Sequence, residues 1–296
     1  MRRRMTLPVI LNPAARSTKA ATLESRLRAL SPAPEMHFTQ CPGDAERLAF
    51  ELASQGHRQV IAAGGDGTVN EAVHGLMRHN ITVADPAQHV ALGVLPAGTM
   101  NVFAHELGLP KNIEKCWRVV SQLRLREVDL WQANEKYFVQ LAGVGLDAEI
   151  VRATSWQMKK RFGPLSYLIS AARLIPQPSP VLTVHIDGKP PLHGAIVIVG
   201  NGRHYGGPVP VFRHAKNDDG LLDILIFHEA RALAAMQFVG AMTIGNFERC
   251  GDLDYFQARE FRVECSQQSA FEIDGEFAGT APVLFKPAPF RLKVAC

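Results

Sequence analysis

The segment from Gln59 to Glu71 constrains the fold of this chain more than any other. An apolar, β-branched run, Gln59 to Ala63, enters Gly64-Gly65-Asp66-Gly67-Thr68, and Val69 then opens a helical pattern with Asn70 and Glu71 in its first turns. A strand, a glycine turn and a helix start together make an anion site. Glycines place no Cβ between a phosphate and the backbone N–H groups, and a helix N-terminus adds roughly half a unit of positive charge. The turn lacks the lysine and Ser/Thr of a P-loop, and Asn70 stands where a dinucleotide fingerprint needs its last glycine. Asp66 in a phosphate cradle repels its ligand unless a divalent cation or a proton intervenes, and Mg²⁺ is expected nearby.

The flanking sequence supplies a scaffold for such a turn. Leu7 to Leu11, His37 to Thr39, Gln59 to Ala63 and Ala91 to Leu95 read as strands. Thr22 to Leu30, Ala45 to Ala53 and Val69 to Met77 read as helices between them, the second with Asp44 as its N-cap. This alternation predicts a parallel, Rossmann-like sheet over 5–130, with its ligand crevice beyond the carboxyl ends of the strands.

From 131 to 286 the texture changes to strands separated by turn signals: Tyr137 to Ala142, Val181 to Ile186, Ala195 to Val199, Leu222 to Phe227, Phe261 to Cys265 and Phe271 to Ile273. A mainly antiparallel, β-sandwich-like second domain is the simplest account. Helical insertions are expected near Glu149 to Ile175 and Ala230 to Met242, and 287–296 can return to the first domain.

Composition sets limits on partners. A net charge of +4 is too weak to indicate nucleic acid. The five cysteines are odd in number and scattered without zinc spacing, which points to reduced thiols and a cytoplasmic setting. The apolar run after Arg2, Arg3 and Arg4 stops at Asn12 and Pro13, and no later stretch reaches the ~20 apolar residues of a membrane span, so any membrane contact is expected to be peripheral.

A second glycine turn follows the fourth strand: Leu95-Pro96-Ala97-Gly98-Thr99-Met100-Asn101-Val102-Phe103-Ala104. Further on come Gly143-Val144-Gly145-Leu146-Asp147-Ala148, Asn201-Gly202-Arg203-His204-Tyr205-Gly206-Gly207, Ala215 to Asp223, and Ile273-Asp274-Gly275-Glu276. This ordered set, with Gly64 to Glu71, resembles the diacylglycerol kinase catalytic-domain family, which includes bacterial lipid kinases and sphingosine kinases. Val102 departs from the aspartate common at its position in that family, while Gly98, Thr99 and Asn101 match.

The resemblance implies an ATP-dependent lipid kinase that moves the γ-phosphoryl group to the hydroxyl of a membrane lipid such as diacylglycerol. It implies ATP contacts at Thr39, at Gly64, Gly65, Asp66, Gly67, Thr68, Val69, Asn70 and Glu71, and at Gly98, Thr99 and Asn101. It implies a structural Mg²⁺ held by Asp219 and the carbonyls of Lys216 and Leu221. Glu276 would accept the lipid's hydroxyl proton, with Asp274 supporting the cation or orienting the base and Asp66 engaging the nucleotide's Mg²⁺.

Arg152 to Ile175 mixes Arg152, Lys159, Lys160 and Arg161 with Trp156, Phe162, Leu165 and Tyr167, which suits either an interfacial helix or a helix packed on the second domain. Two other functions fit parts of the pattern. A soluble NAD-kinase-like enzyme shares the GGDG turn, and a non-catalytic nucleotide-binding regulator accommodates Val102.

Overall fold

A computed structural model describes residues 7–13, 20–154, 180–206, 210–229 and 253–296. The chain divides into two compact units, one running up to Val128 and taking back Pro289–Cys296, the other Asp129–Ala288.

In the first unit, strand β1 (Leu7–Leu11), helix α1 (Ala20–Arg28), β2 (Pro34–Phe38), α2 (Asp44–Ser54), β3 (Gln59–Gly64), α3 (Asp66–Asn80), β4 (Ala91–Pro96), α4 (Val102–Glu106), α5 (Ile113–Val120) and β5 (Leu125–Val128) follow in order. The sheet order is β2-β1-β3-β4, then the chain's last strand, Leu292–Ala295, then β5. β1 to β4 and the last strand are parallel, and β5 closes the sheet antiparallel to that last strand. β1, β3 and β4 are buried at every position, as expected of strands covered on both faces. The chain runs from β1 outward to β2 and returns past β1 to β3, so the strand order reverses between β1 and β3. A crevice for ligand opens at such a reversal.

Several boundaries differ from those read off the sequence. α3 begins at Asp66, not Val69, so Asp66, Gly67 and Thr68 form the helix's first turn. Gly43, in a left-handed conformation (φ 86°), is the N-cap of α2. Asp44 instead turns its carboxylate back to accept the N–H groups of Gln40 and Cys41 at 2.7 and 3.1 Å. β2 starts three residues before the expected His37 and ends at Phe38, one residue short of Thr39. α5 was not anticipated; it buries Ile113, Cys116, Trp117 and Val120 on one face, and its N-cap, Asn112, accepts the N–H of Lys115 at 2.9 Å.

The second unit comprises β6 (Trp131–Ala133), β7 (Lys136–Phe138), β8 (Leu141–Gly145), α6 (Leu146–Ala153), β9 (Leu182–Ile186), β10 (Leu192–Gly194), β11 (Ile196–Gly200), β12 (Leu222–Phe227), β13 (Leu253–Ala258), β14 (Phe261–Cys265), β15 (Ala270–Ile273), β16 (Glu276–Thr280) and β17 (Val283–Pro287). They form two six-stranded antiparallel sheets, β10-β9-β14-β17-β6-β7 and β13-β12-β11-β8-β15-β16. Alternate residues of both sheets meet in one core: Val184, Phe261, Val263, Val283 and Phe285 from the first, Val144, Val197, Ile224, Phe271 and Ile273 from the second. This period-2 alternation makes a β-sandwich. The expected single strand Tyr137 to Ala142 is broken into β7 and β8, for a reason given below. Most of the helix expected near Glu149 to Ile175, and the one near Ala230 to Met242, lie outside the described residues.

Candidate functional site

In the first unit the candidate residues gather at the carboxyl ends of β1 to β4. The turn after β4 is fastened to the turn after β3, because the carbonyl of Gly64 accepts the N–H groups of Ala97 and Gly98 at 2.9 and 3.0 Å. A Cβ on Gly98 would collide with the α-carbon of Gly65 and come within 3.0 Å of Asn101 Oδ1. The two turns therefore touch backbone to backbone, and only glycine allows that approach. Asn101, itself left-handed at φ 51°, closes its own turn by accepting the N–H of Gly98 at 2.8 Å and donating to its carbonyl at 2.9 Å.

Asp66 has a definite partner. Its Oδ1 accepts the N–H of Phe103 at 3.3 Å, capping the first turn of α4 from a neighbouring loop. A carboxylate at the start of α3 is also favoured by that helix's positive end, which the sequence reading of a repelled ligand did not weigh. Val102 is 5% exposed and belongs to the core, so the family's aspartate has been replaced here by packing.

The other residues of this set divide by burial. Gly65, Asp66, Gly67 and Asn70 are partly exposed at the α3 N-terminus, and Thr99 is exposed, while Gly64, Thr68 and Val69 are buried. Glu71 accepts the N–H of Ala45 at 3.1 Å and so ties α3 to the first turn of α2. Thr39 follows β2 and donates its N–H to Leu11 at 3.0 Å. Asn12 was missed in the sequence: just after β1, its Nδ2 donates to Thr68 Oγ1 at 3.1 Å. Its only sequence signal was its place at a strand's carboxyl end.

In the second unit the acid turn is a tight hairpin. Asp274 and Gly275 both have positive φ, 48° and 83°, the mark of a type I′ turn between β15 and β16. Asp274 is 6% exposed, and its carboxylate accepts the N–H groups of Val139, Gln140 and Leu141 at 3.0, 3.0 and 3.1 Å. These bonds break the expected long strand into β7 and β8, and they commit Asp274 to holding backbone. Glu276, at the first position of β16, is exposed.

The segment around Asn201 is an internal brace. Buried Asn201 accepts from Trp131 Nε1 at 2.7 Å and donates to the carbonyls of Asp129 and Val139 at 2.8 and 2.7 Å. Gln140 Nε2 donates to His204 O at 3.0 Å. Gly207 lies outside the described residues.

The loop before β12 is tied to Asp129, which donates its N–H to Asn217 O and accepts the N–H of Gly220, both at 2.7 Å. Asp219 accepts the N–H of Leu221 at 3.1 Å. On β12, fully buried Asp223 accepts from the Tyr255 hydroxyl and from Gln257 Nε2, both at Oδ1, while Oδ2 has no hydrogen-bond partner. Burial, and then the charge of Asp219, hold the Asp223 carboxyl above its ordinary range.

Among the described residues no group of three or more His, Cys, Asp or Glu side chains could hold a metal. One carboxylate with backbone carbonyls and water is nevertheless the donor set that a hard cation such as Mg²⁺ accepts. Asp219 supplies such a carboxylate, and the orphaned Oδ2 of Asp223 follows four residues on in the chain.

A parallel sheet ends in two interlocked glycine turns, and a β-sandwich carries an acid hairpin. Residues 6–133 match the diacylglycerol kinase catalytic domain, and residues 140–296 match the YegS C-terminal NAD kinase beta sandwich-like domain. The chain is 32% identical over 251 residues to a diacylglycerol kinase of Bacillus subtilis, covering 83% of this chain and 80% of that one. It is 35% identical over 240 residues to a "probable lipid kinase YegS-like" of Chromohalobacter salexigens, covering 79% and 74%. The crystal structure of a diacylglycerol kinase from Bacillus anthracis shares the fold, with a TM-score of 0.77 at 24% identity over 100% of this chain and 98% of that one.

The chain belongs to the diacylglycerol kinase catalytic-domain family and is an ATP-dependent lipid kinase. Neither the soluble NAD-kinase-like reading nor the regulator reading is favoured.

Proposed function

We propose that this enzyme transfers the γ-phosphoryl group of ATP to the free hydroxyl of diacylglycerol or a closely similar lipid alcohol, working at the cytoplasmic surface of a membrane. The observation that carries the reading is the fastening of the Gly98 turn to the Gly64 carbonyl. It gives a rigid, two-sided backbone cradle for phosphates at the carboxyl ends of β3 and β4. The acceptor class follows the names of the relatives. No described helix is long and apolar enough to cross a membrane, which suits an enzyme that visits its lipid from outside the bilayer.

In this mechanism the start of α3 and the turn at Gly98 to Asn101 bind the phosphates, with Thr39 and Thr99 flanking. Asp66, whose Oδ1 accepts the N–H of Phe103, would hold the nucleotide's Mg²⁺. Asp219 with the carbonyls of Lys216 and Leu221 would hold a structural Mg²⁺. The nucleotide's Mg²⁺, when bound, would neutralise phosphate charge. Glu276 takes the proton of the acceptor hydroxyl, and Asp274 orients it by fixing the hairpin. Positioning and charge neutralisation supply most of the catalysis of a loose phosphoryl-transfer transition state. Arg152, the described start of the basic segment, pairs with Glu149 at 2.5 Å, and peripheral membrane contact through the rest of 152–175 belongs to the same proposal.

The test is radiolabelled ATP with a total lipid extract, NAD offered alongside, and the labelled product identified by mass. A phosphorylated lipid alcohol is expected; label only in NADP, or in no product, contradicts the reading.

A further inference from the structure

Glu272 is opposite Gly143 in the register of β15 and β8. Its neighbours Phe271 and Ile273 enter the sandwich core, so Glu272 is on the other face of the sheet, yet it is only 1% exposed. Asp147, from the first turn of α6, comes to the same place. Asp147 Oδ2 and Glu272 Oε1 both lie within 3.1 Å of the point a Cβ on Gly143 would occupy. Gly143 is thus a glycine because two carboxyl groups fill its side-chain space, which explains part of the Gly143-Val144-Gly145-Leu146-Asp147 spacing.

The pair is connected at both ends. Tyr205 donates its hydroxyl to Asp147 Oδ2 at 2.5 Å, and the other oxygen of Glu272 accepts the N–H of Gly275 at 2.8 Å. Tyr205 thus bonds to Asp147 and Gly275 to Glu272, and the two carboxyl groups crowd the same space beside Gly143, at the base of the hairpin that carries Glu276.

We infer that Asp147 and Glu272 act as one proton-sharing carboxyl pair that positions the Asp274-Gly275-Glu276 hairpin for phosphoryl transfer; the inference rests on the assignment of Glu276 as base. Two carboxylates crowded into a buried site cannot both ionise without repulsion, and one shared proton turns that repulsion into a strong O–H···O bond. Such a pair titrates as a unit. Burial raises the Asp147 carboxyl above its ordinary range, opposed by the Tyr205 hydrogen bond.

Other ionisable groups on the surrounding elements are Glu149 and Arg152 on α6, Arg203 and His204 beside Tyr205, and Asp274 and Glu276 on the hairpin. Glu149 is committed to the N–H of Ala270 at 3.0 Å and to Arg152 at 2.5 Å. Loss of the shared proton pushes Glu272 away from Asp147 and slackens its hold on Gly275. Asp147 and Glu272 are positioning residues; neither is assigned a contact with the reacting atoms.

The test uses the full-length enzyme with radiolabelled ATP and dioleoylglycerol in mixed micelles. The turnover number is followed from about pH 5.5 to 9 for wild type, Glu272→Gln, Glu272→Ala, Asp147→Asn and Glu276→Gln. Melting midpoints are taken over the same range. Glu272→Gln copies the protonated state at every pH: its oxygen still accepts from Gly275 and its amide donates to Asp147. It is expected to keep turnover within about threefold of wild type at the optimum, and to lose the fall in both turnover and melting midpoint that follows as pH rises through the pair's titration. Glu272→Ala is expected to lose roughly tenfold or more in turnover with KM for ATP unchanged. If Glu272→Ala does not fold, Glu272→Gln and Asp147→Asn decide the matter through their pH profiles.

Profiles of Glu272→Gln that superimpose on wild type in both readouts, or a Glu272→Ala enzyme with wild-type turnover, overturn the inference. Full activity in Glu276→Gln overturns the base assignment, and with it the positioning role. The melting profiles then still report whether the two carboxyls share a proton.

Discussion

Gly98 donates its N–H to the carbonyl of Gly64 at 3.0 Å, so the turns after β4 and β3 behave as one rigid piece. Substituting Gly98→Ala drives a Cβ into the Gly65 backbone, which has no flexible end to yield. A loss of about 1–3 kcal/mol in stability is expected, as for other overpacked sites. Nucleotide affinity should fall with it. Thermal melting and calorimetric titration with a non-hydrolysable ATP analogue check both.

The cap that Asp66 gives Phe103 and the metal-binding role proposed for its charge can be separated by substitution. Asp66→Asn keeps an oxygen for the Phe103 N–H and removes the charge. It should melt close to wild type while losing on the order of a hundredfold or more in turnover, the scale of a lost electrostatic contact in phosphoryl transfer. Asp66→Ala should lose the cap as well, about 0.5–2 kcal/mol of stability. An Asp66→Asn enzyme with normal turnover would remove Asp66 from the chemistry and leave it a cap.

Asp274 holds three backbone N–H groups in a buried hairpin. Asp274→Ala leaves them without their acceptor, and at ~1–3 kcal/mol for each unsatisfied buried group the variant is expected to be severely destabilised. Denaturant unfolding measures this. A nearly unchanged midpoint would mean that the β7–β8 turn does not depend on Asp274.

Asp147 and Asp223 are both held above the ordinary carboxylate range by burial. In the folded protein each keeps its proton to a higher pH than in the unfolded chain, so the folded state binds more protons in that window and stability falls as pH rises through it. Melting midpoints should therefore decline from about pH 4 toward neutrality, and the decline should shrink in Asp147→Asn. A rise over that interval attributable to either residue contradicts the burial argument.

Much of the first unit was legible because its signals are local. β3 with its glycine turn, and β4 with Gly98 to Asn101, declare themselves by apolar runs ending in glycine. The start of α3 was set three residues late because Gly64 to Thr68 reads as loop, whereas Asp66, Gly67 and Thr68 already have helical geometry. Local pattern misplaced the cap of α2 for a similar reason, since Asp44 satisfies donors behind it rather than ahead of it.

In the second unit the role of Asp274 could not be read from Asp-Gly alone. The donors it binds are more than 130 residues away in sequence. Asn12 and Glu272 were hidden likewise, as each gains meaning only from a partner on a neighbouring strand or helix. Val102 looked like a missing carboxylate in the motif and is a core side chain in the fold.

The assignment of Glu276 as proton acceptor is tested most directly by the turnover of Glu276→Gln, measured with dioleoylglycerol alongside its affinity for a non-hydrolysable ATP analogue. Glu276 is exposed on a hairpin anchored by other residues, so the variant should fold and bind nucleotide as wild type does. Turnover should drop by roughly 10² to 10⁴, the contribution of a positioned general base. Wild-type turnover in that variant would contradict the account.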